Sequence, residues 1–309
     1  MRRPPTLSRR SLLTGALWLS LSGKGGAASP VIVGSKLDLE GALLGHMALL
    51  ALRRAGIETQ NRLQIGPTAI LREALLSGAI DLCVEYTGNA AFFFHQDDDP
   101  VWKDAEAGYA RAAELDYRRN SLVWLRPAPA DNSWAIAVPN RLAREKSLAT
   151  LEDFARFARD GNRIKLAASA EFVESAAGLP AFETAYGFKL EARQLLVLSG
   201  GETSATMKAA ADGMSGVNAA MAYGADGALE ALDLLALEDP RHAEPVYAPA
   251  PVVRAATLEL YPNIRQALAP VFASLDLATL RDLNEKVAVE GEAAAAVALA
   301  FLGAKGLLD

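Results

Sequence analysis

The chain has 309 residues, of which 51% are hydrophobic and 22% are charged, and its formal net charge is -6 at pH 7. This composition is typical of a globular protein with a substantial core, and it excludes a disordered chain or a coiled coil as the main state. The acidic balance argues against nucleic-acid binding, which requires a basic surface to neutralise phosphates.

The first 28 residues have the pattern of an export signal. In "SRRSLLTGALWLSLSG" the paired Arg9 and Arg10 precede a moderately apolar run, and small residues follow as far as Ala28. The run is too short to anchor the protein stably in a bilayer. We therefore expect a cleaved signal of the twin-arginine type over residues 1–28 and a periplasmic protein. An accidental basic N-terminus is the alternative.

Short β-rich runs alternate with helical runs after this segment. Strands are predicted at 31–34, 62–66 and 79–86, and helices at 38–56 and 67–78. This β-α-β-α-β order predicts a parallel sheet. Ligands of such sheets bind outside the carboxyl ends of the strands, where the loops "GSK", "GPT" and "YTGN" lie.

A second set of alternating elements follows further along the chain. Its predicted strands lie at 133–140, 163–169, 192–198 and 217–224, and its predicted helices at 147–161, 175–187 and 203–213. From Asp226 onward the pattern is mainly helical. Two similar sets predict an α/β protein with two lobes and a cleft between them.

Several enzyme signatures are absent from the sequence. There is no G-x-S-x-G nucleophile elbow, no H-E-x-x-H motif and no Walker loop, and the three histidines are widely spread. No metal or cofactor is therefore expected, and the protein is predicted not to be an enzyme. An acid–base pair among Glu40, Glu85 and Glu202 stays open, although their spacing does not require one.

The motifs "GSK", "LEGALLG", "EYTGN", "DNSW", "AYGADG" and "YAPAPVVR" occur in one order along the chain. Together they resemble the periplasmic binding proteins of ABC importers for glycine betaine, choline and related osmoprotectants, in particular the OsmF-type branch. The resemblance implies a two-lobed type II periplasmic-binding-protein fold with a ligand cleft between the lobes. Lobe I would comprise 29–131 and 224–309, and lobe II 132–223. The resemblance also implies a monomer that docks on an ABC permease, which lies in the inner membrane with its ATPase subunits.

The resemblance also implies an aromatic cage for a quaternary ammonium group. Its four members fall on Tyr86, Trp134, Tyr223 and Tyr247. The physics agrees, because a quaternary ammonium cannot donate a conventional hydrogen bond and is instead held by aromatic faces. A purely structural role for the four rings is the alternative.

Further ligand contacts are implied by the same motifs. Lys36 matches a lysine that faces the ligand carboxylate in some members, Asn89 stands where many members carry a threonine contact, and Thr87 belongs to "EYTG". The backbone of Asn132 is expected near the cation. Ser175 stands at or near the position where many relatives have an arginine, and without a guanidinium a bidentate clamp on the carboxylate is lost. We therefore expect weak binding of glycine betaine.

The leading hypothesis is a solute-binding component of an ABC importer for a small quaternary amine. The same fold could instead bind an amino acid, a polyamine or another compatible solute. A secreted enzyme that uses Glu85 or Glu202, and a sensor lobe of a membrane receptor, are alternatives of a different class.

Overall fold

The computed structural model describes residues 29–198 and 203–308. The predicted signal at 1–28 and Glu202 lie outside these residues. The strands are β1 (Val31–Lys36), β2 (Thr59–Gly66), β3 (Leu82–Tyr86), β4 (Leu122–Trp124), β5 (Trp134–Pro139), β6 (Leu166–Ser169), β7 (Leu195–Leu198), β8 (Ala219–Tyr223), β9 (Leu234–Ala236) and β10 (Pro249–Arg254).

Helices follow most of the strands and cover the faces of the sheets. They are α1 (Leu39–Arg54), α2 (Thr68–Ser77), α3 (Asn89–Phe94), α4 (Ala105–Asn120), α5 (Asn140–Lys146), α6 (Leu151–Arg159), α7 (Ala170–Glu174), α8 (Leu179–Tyr186), α9 (Thr203–Ala211), α10 (Ala228–Ala231), α11 (Ala255–Leu260), α12 (Ile264–Ala273), α13 (Leu277–Ala288) and α14 (Ala294–Ala304).

The strands form two five-stranded sheets of matching topology. The first has the order β2-β1-β3-β10-β4 and the second the order β7-β6-β8-β5-β9. In each sheet the first three strands are parallel, and the fourth is antiparallel to both of its neighbours. The chain passes from the first sheet to the second between β4 and β5, and it returns between β9 and β10. This confirms the predicted α/β protein with two lobes.

The part of the chain after Asp226 differs from the mainly helical pattern predicted for it. It contains β9 and also β10, which lies inside the first sheet between β3 and β4. Strand β10 is not predicted from the sequence because it contains Pro249 and Pro251. Proline has no N–H for a sheet ladder and argues against an inner strand. Here both prolines act as acceptors, and their carbonyls bind the N–H groups of Ala128 at 2.9 Å and Leu125 at 2.8 Å.

The second sheet also extends beyond residue 223, where the sequence places the end of lobe II. Strand β9 pairs with β5 through Val138 and Leu235, so this later strand belongs to the second sheet. The exact lobe boundaries stay a prediction.

Local sequence explains why α1 begins beside the end of β1. The Asp38 carboxylate caps the helix by accepting from the Gly41 N–H at 2.6 Å, which satisfies one of the free donors of the first turn. The buried residues Leu43, Leu44 and Met47 then repeat at helical spacing and pack into the core of the first lobe. The cap therefore fixes where Glu40 lies, at the edge of the sheet.

Each lobe has its own core. In the first lobe, α1 packs against α12, α13 and α14. In the second lobe, Phe154, Phe172 and Phe182 are at most 1% exposed. Cys83 is buried in the first lobe, and burial raises the pKa of its thiol. Across 29–198 and 203–308, no helix combines the length and apolar character needed to cross a membrane.

Candidate functional site

A cleft of about 650 Å³ lies between the two lobes. Residues at the carboxyl ends of β1, β3 and β8 line it, together with the start of β5 and the first turn of α1. Seven of the nine residues expected at the site line this cleft: Lys36, Tyr86, Asn89, Asn132, Trp134, Tyr223 and Tyr247.

Trp134 and Tyr223 form the aromatic wall of the second lobe. They are direct partners in the register of β5 and β8, their ring centroids are 6.4 Å apart, and their planes differ by 19°. Behind them, Phe172 packs edge-on against Trp134 at 5.6 Å. Burial raises the pKa of Tyr223 to about 12, so its phenol is neutral at physiological pH.

Tyr86 and Tyr247 form the opposite wall. Tyr86 ends β3, and Tyr247 lies in the segment that returns from β9 to β10. The Tyr247 ring lies against Gly88, where an added Cβ would be only 2.9 Å from three ring carbons. Gly88 has an ordinary helical φ of -62°. The glycine of "EYTG" is therefore required by the approach of this ring rather than by backbone conformation.

Glu40 is hydrogen-bonded both to the aromatic wall of the first lobe and to two asparagines beside it. Its Oε1 accepts hydrogen bonds from the Tyr86 hydroxyl and from Asn132 Nδ2, the latter at 3.1 Å, and its Oε2 accepts from Asn284 Nδ2 at 2.6 Å. Burial raises the pKa of Glu40 to about 6, although its hydrogen bonds to Tyr86 and Asn284 act in the opposite direction. Glu40 thus orients the Tyr86 ring and the Asn132 amide together.

Asn132 lies in the segment that crosses from β4 to β5, and it bonds this segment to Ala225 and Tyr247. Its Oδ1 accepts from the Ala225 N–H at 2.8 Å, and its own N–H donates to the Tyr247 carbonyl at 3.0 Å. Asn132 is therefore held through its side chain and through its backbone.

Lys36 and Asn89 meet at a second buried carboxylate. Lys36 Nζ lies 2.7 Å from Glu85 Oε1, and Asn89 Nδ2 donates to the same oxygen at 2.6 Å. The Lys36 ammonium also lies 4.4 Å from the centroid of the Tyr86 ring. The structure therefore brings together two side chains that the resemblance implies as ligand contacts, and both contact Glu85.

Thr87 and Ser175 lie elsewhere. Thr87 Oγ1 donates to the Val246 carbonyl at 2.7 Å and accepts from the Ala248 N–H at 3.1 Å, so it joins the end of β3 to the returning segment. Ser175 ends α7 and accepts from the Ala177 N–H at 3.3 Å. A ligand contact of either residue stays a prediction.

Other residues of the cleft were not expected from the sequence. They include Glu171, Thr203, Met207, Asp226 and Asn284. Glu40 had a usable signal, because it follows the "GSK" loop in the first turn of α1. Asn284 had none, because it lies in the middle of an ordinary amphipathic helix.

The charges in the cleft favour a cation. Among the described lining residues, Asp38, Glu40, Glu171 and Asp226 are acidic, and Lys36 is the basic one. Within the described ranges, no cluster of histidine, cysteine, aspartate or glutamate could hold a metal ion. Aromatic faces and carboxylates in one cleft can bind an organic cation with little hydrogen-bonding capacity.

Comparison with known proteins agrees with this geometry. The family model described as the substrate-binding domain of the ABC-type glycine betaine transport system matches residues 29–304. The chain is 54% identical over 280 residues to the glycine betaine-binding protein YehZ of Escherichia coli (strain K12), which covers 91% of this chain and 92% of YehZ.

Two solved structures show the same fold. Apo YehZ from Escherichia coli matches with a TM-score of 0.79 and 54% identity, over 91% of this chain and 100% of that one. Lactococcal OpuAC, solved in its closed conformation with glycine betaine, matches with a TM-score of 0.59 and 11% identity, over 91% and 98% of the two chains. The fold is therefore that of the two-lobed periplasmic binding proteins. The chain belongs to the family of substrate-binding domains of ABC-type glycine betaine transport systems.

Proposed function

We propose that this chain binds glycine betaine, choline or a related quaternary amine in the periplasm and delivers it to the permease and ATPase subunits of an ABC importer. One observation carries the proposal. The aromatic residues Tyr86, Trp134, Tyr223 and Tyr247 line a single cleft, and they come from both sides of it.

The chemistry of a quaternary ammonium group fits such walls. Each well-placed ring contributes about 0.5–2 kcal/mol to the binding of a cation. Four rings, after the cost of association, correspond to dissociation constants between about a micromolar and a millimolar. Because Tyr86 and Trp134 belong to different lobes, a cation between them would favour closure of the cleft.

The anionic end of a betaine has a weaker anchor in this cleft. Lys36 is paired with Glu85, and Ser175 stands at or near the position where many relatives have an arginine. Glycine betaine is therefore proposed to bind weakly.

Export and a binding role complete the proposal. The pattern of residues 1–28 supports export, and the relative YehZ named above is a glycine betaine-binding protein. Burial raises the pKa of Tyr223 and of Tyr247, so these phenols stay protonated and serve as ring surfaces rather than as nucleophiles. An amino acid or a polyamine is the alternative ligand class.

Calorimetric titration of the mature protein with glycine betaine, choline and proline tests the proposal. Tryptophan fluorescence, to which the cleft-lining Trp134 contributes, provides a second readout of the same titration. Saturable binding of a quaternary amine, with little response to proline, is expected. Preference for proline, or no response to either quaternary amine, would contradict the proposed ligand class.

A further inference from the structure

Glu85 precedes Tyr86 in the chain, contacts the cleft-lining residues Lys36 and Asn89, and is only 3% exposed. Its Oε1 accepts from three donors. These are the Lys36 ammonium at 2.7 Å, Asn89 Nδ2 at 2.6 Å and the Tyr86 N–H at 2.8 Å. A carboxylate oxygen with three donors, one of them charged, is well satisfied.

Two of these donors are expected ligand contacts, and one of them, Lys36, is expected to face the carboxylate of the ligand. A ligand carboxylate and the Glu85 carboxylate present the same chemistry to Lys36 and Asn89. The protein thus already places a carboxylate of its own on these two side chains.

The Lys36 ammonium also lies over the Tyr86 ring, where a ligand cation would bind. This ammonium is 4.4 Å from the centroid of Tyr86, within the range of a cation–π contact. Glu85 therefore holds a protein cation against a ring of the cage, at a point where Lys36 is itself only 9% exposed.

We propose that Glu85 determines ligand preference by competing with the carboxylate of the ligand for Lys36 and Asn89. A zwitterion such as glycine betaine then gains little from its carboxylate. Drawing Lys36 away would leave Glu85 buried without its counter-charge, and breaking one side of a buried ion pair is costly. A cation with a neutral polar tail, such as choline, avoids this exchange. The inference rests on the proposed function and deepens it.

The test is Glu85→Gln, with dissociation constants for glycine betaine and choline measured by calorimetry. Glutamine keeps an acceptor oxygen for Asn89 and Tyr86 but removes the charge that holds Lys36. We expect the ratio of the choline to the glycine betaine dissociation constant to rise about tenfold, equivalent to about 1.4 kcal/mol. Glycine betaine should bind more tightly, whereas choline should bind equally or less tightly.

Glu183→Gln is the matched control. Glu183 is also a buried carboxylate paired with a lysine, Lys189 at 2.5 Å, but it lies in the second lobe outside the cleft. This variant should leave the ratio of the two dissociation constants unchanged, so any general effect of losing a buried charge is separated from the proposed effect.

A measurement on the wild-type protein decides the question even if Glu85→Gln fails to fold. The inference requires that the wild-type chain bind glycine betaine at most about threefold more tightly than choline. A wild-type preference for glycine betaine of more than about threefold, or a folded Glu85→Gln variant with an unchanged ratio, would overturn it. Absence of binding of both ligands by the wild-type chain would instead overturn the proposed function, and this inference with it.

Discussion

Trp134 and Tyr223 face each other directly across the antiparallel strands β5 and β8, with nearly parallel rings 6.4 Å apart between centroids. They are far apart in sequence, and only the register of the two strands brings them together. Since side chains alternate between the faces of a strand, a slip of one residue would turn either ring away from the cleft. The sheet register of the second lobe is therefore part of the binding site.

Replacement of Trp134 with alanine should weaken binding of glycine betaine and choline by about tenfold or more. The change removes one ring of the cage and the support that this ring gives to Tyr223, together about 1.4 kcal/mol or more. Trp134→Phe, which keeps an aromatic face, should lose less. Calorimetry measures both variants. Trp102→Phe is the control, because Trp102 is buried in the first lobe, its side chain does not line the cleft, and the change should affect stability alone.

Gly88→Ala should weaken ligand binding without unfolding the protein. A methyl group at this position would lie 2.9 Å from the ring carbons of Tyr247, so the ring must shift out of the cleft wall. The backbone of Gly88 suits alanine, because its φ is -62°. We expect an affinity loss of about threefold to tenfold, measured by calorimetry, with a melting temperature near that of the wild type.

Gly303→Ala is the matched control for Gly88→Ala. Gly303 lies in α14, and among the described residues no heavy atom beyond its chain neighbours and its own helix backbone lies within 4 Å of the Cβ that it would gain. Alanine in a helix interior is favoured over glycine by about 0.5–1 kcal/mol. Gly303 is the last residue but one of α14, so this variant should be at least as stable as the wild type, with unchanged affinity. Equal affinities of the two glycine variants would contradict the steric role of Gly88.

Much of the fold could be predicted from the sequence because the parallel strands and their helices carry strong local patterns. The amphipathic helix α6, for example, opens with Thr150 and Asp153 in a capping box, and it was expected. Strand β10 could not be found in the same way. Its Pro249 and Pro251 contradict strand propensity, and its place in the sheet depends on contacts with β3 and β4, distant in sequence.

Some residues of the candidate site could likewise be predicted from the sequence, and others could not. Residues in motifs at strand ends, such as Tyr86 and Trp134, could be assigned to a common cleft because the topology gathers those ends. The partners of these residues could not. Asn284, in α13, donates a hydrogen bond to Glu40, and Glu85 accepts from Lys36 and Asn89. Neither set of contacts follows from periodicity or from a motif. Such contacts depend on tertiary packing that a single sequence does not display.

Glu40→Gln should weaken binding and reduce stability. Its two carboxylate oxygens accept from Tyr86, Asn132 and Asn284, whereas glutamine offers one oxygen and adds a donor that would face another donor. A buried group left without its partner costs about 1–3 kcal/mol, which chemical denaturation can measure.

The same residue gives a pH dependence of binding. The pKa of Glu40 is about 6, and its ionised form favours a cationic ligand in the cleft. Affinity for choline should therefore rise as pH increases through about 6 and then level off. In Glu40→Gln this step should disappear. A wild-type affinity that is constant from about pH 5 to pH 7 would argue against an electrostatic role for Glu40.

Glu244 lies in the segment that returns from β9 to β10, and we expect it to make the free energy of unfolding depend on pH. It is 3% exposed, and among the described residues neither of its carboxylate oxygens has a hydrogen-bond partner. Burial, followed by the charges of Asp239 and Asp131, raises its pKa from 4.5 to about 9. Between these two values the folded protein retains a proton that the unfolded chain has released, so the free energy of unfolding should fall as pH rises through this window.

Glu244→Gln isolates this contribution, because glutamine keeps the shape of the neutral acid and does not titrate. The variant should be more stable than the wild type by about 1–3 kcal/mol at pH 8, and the difference should shrink toward pH 5. Chemical denaturation of both proteins at several pH values measures the difference directly. Glu183→Gln, which removes a buried but hydrogen-bonded carboxylate, should instead be less stable than the wild type. Parallel pH profiles for Glu244→Gln and the wild type would show that Glu244 does not hold a proton in the folded protein.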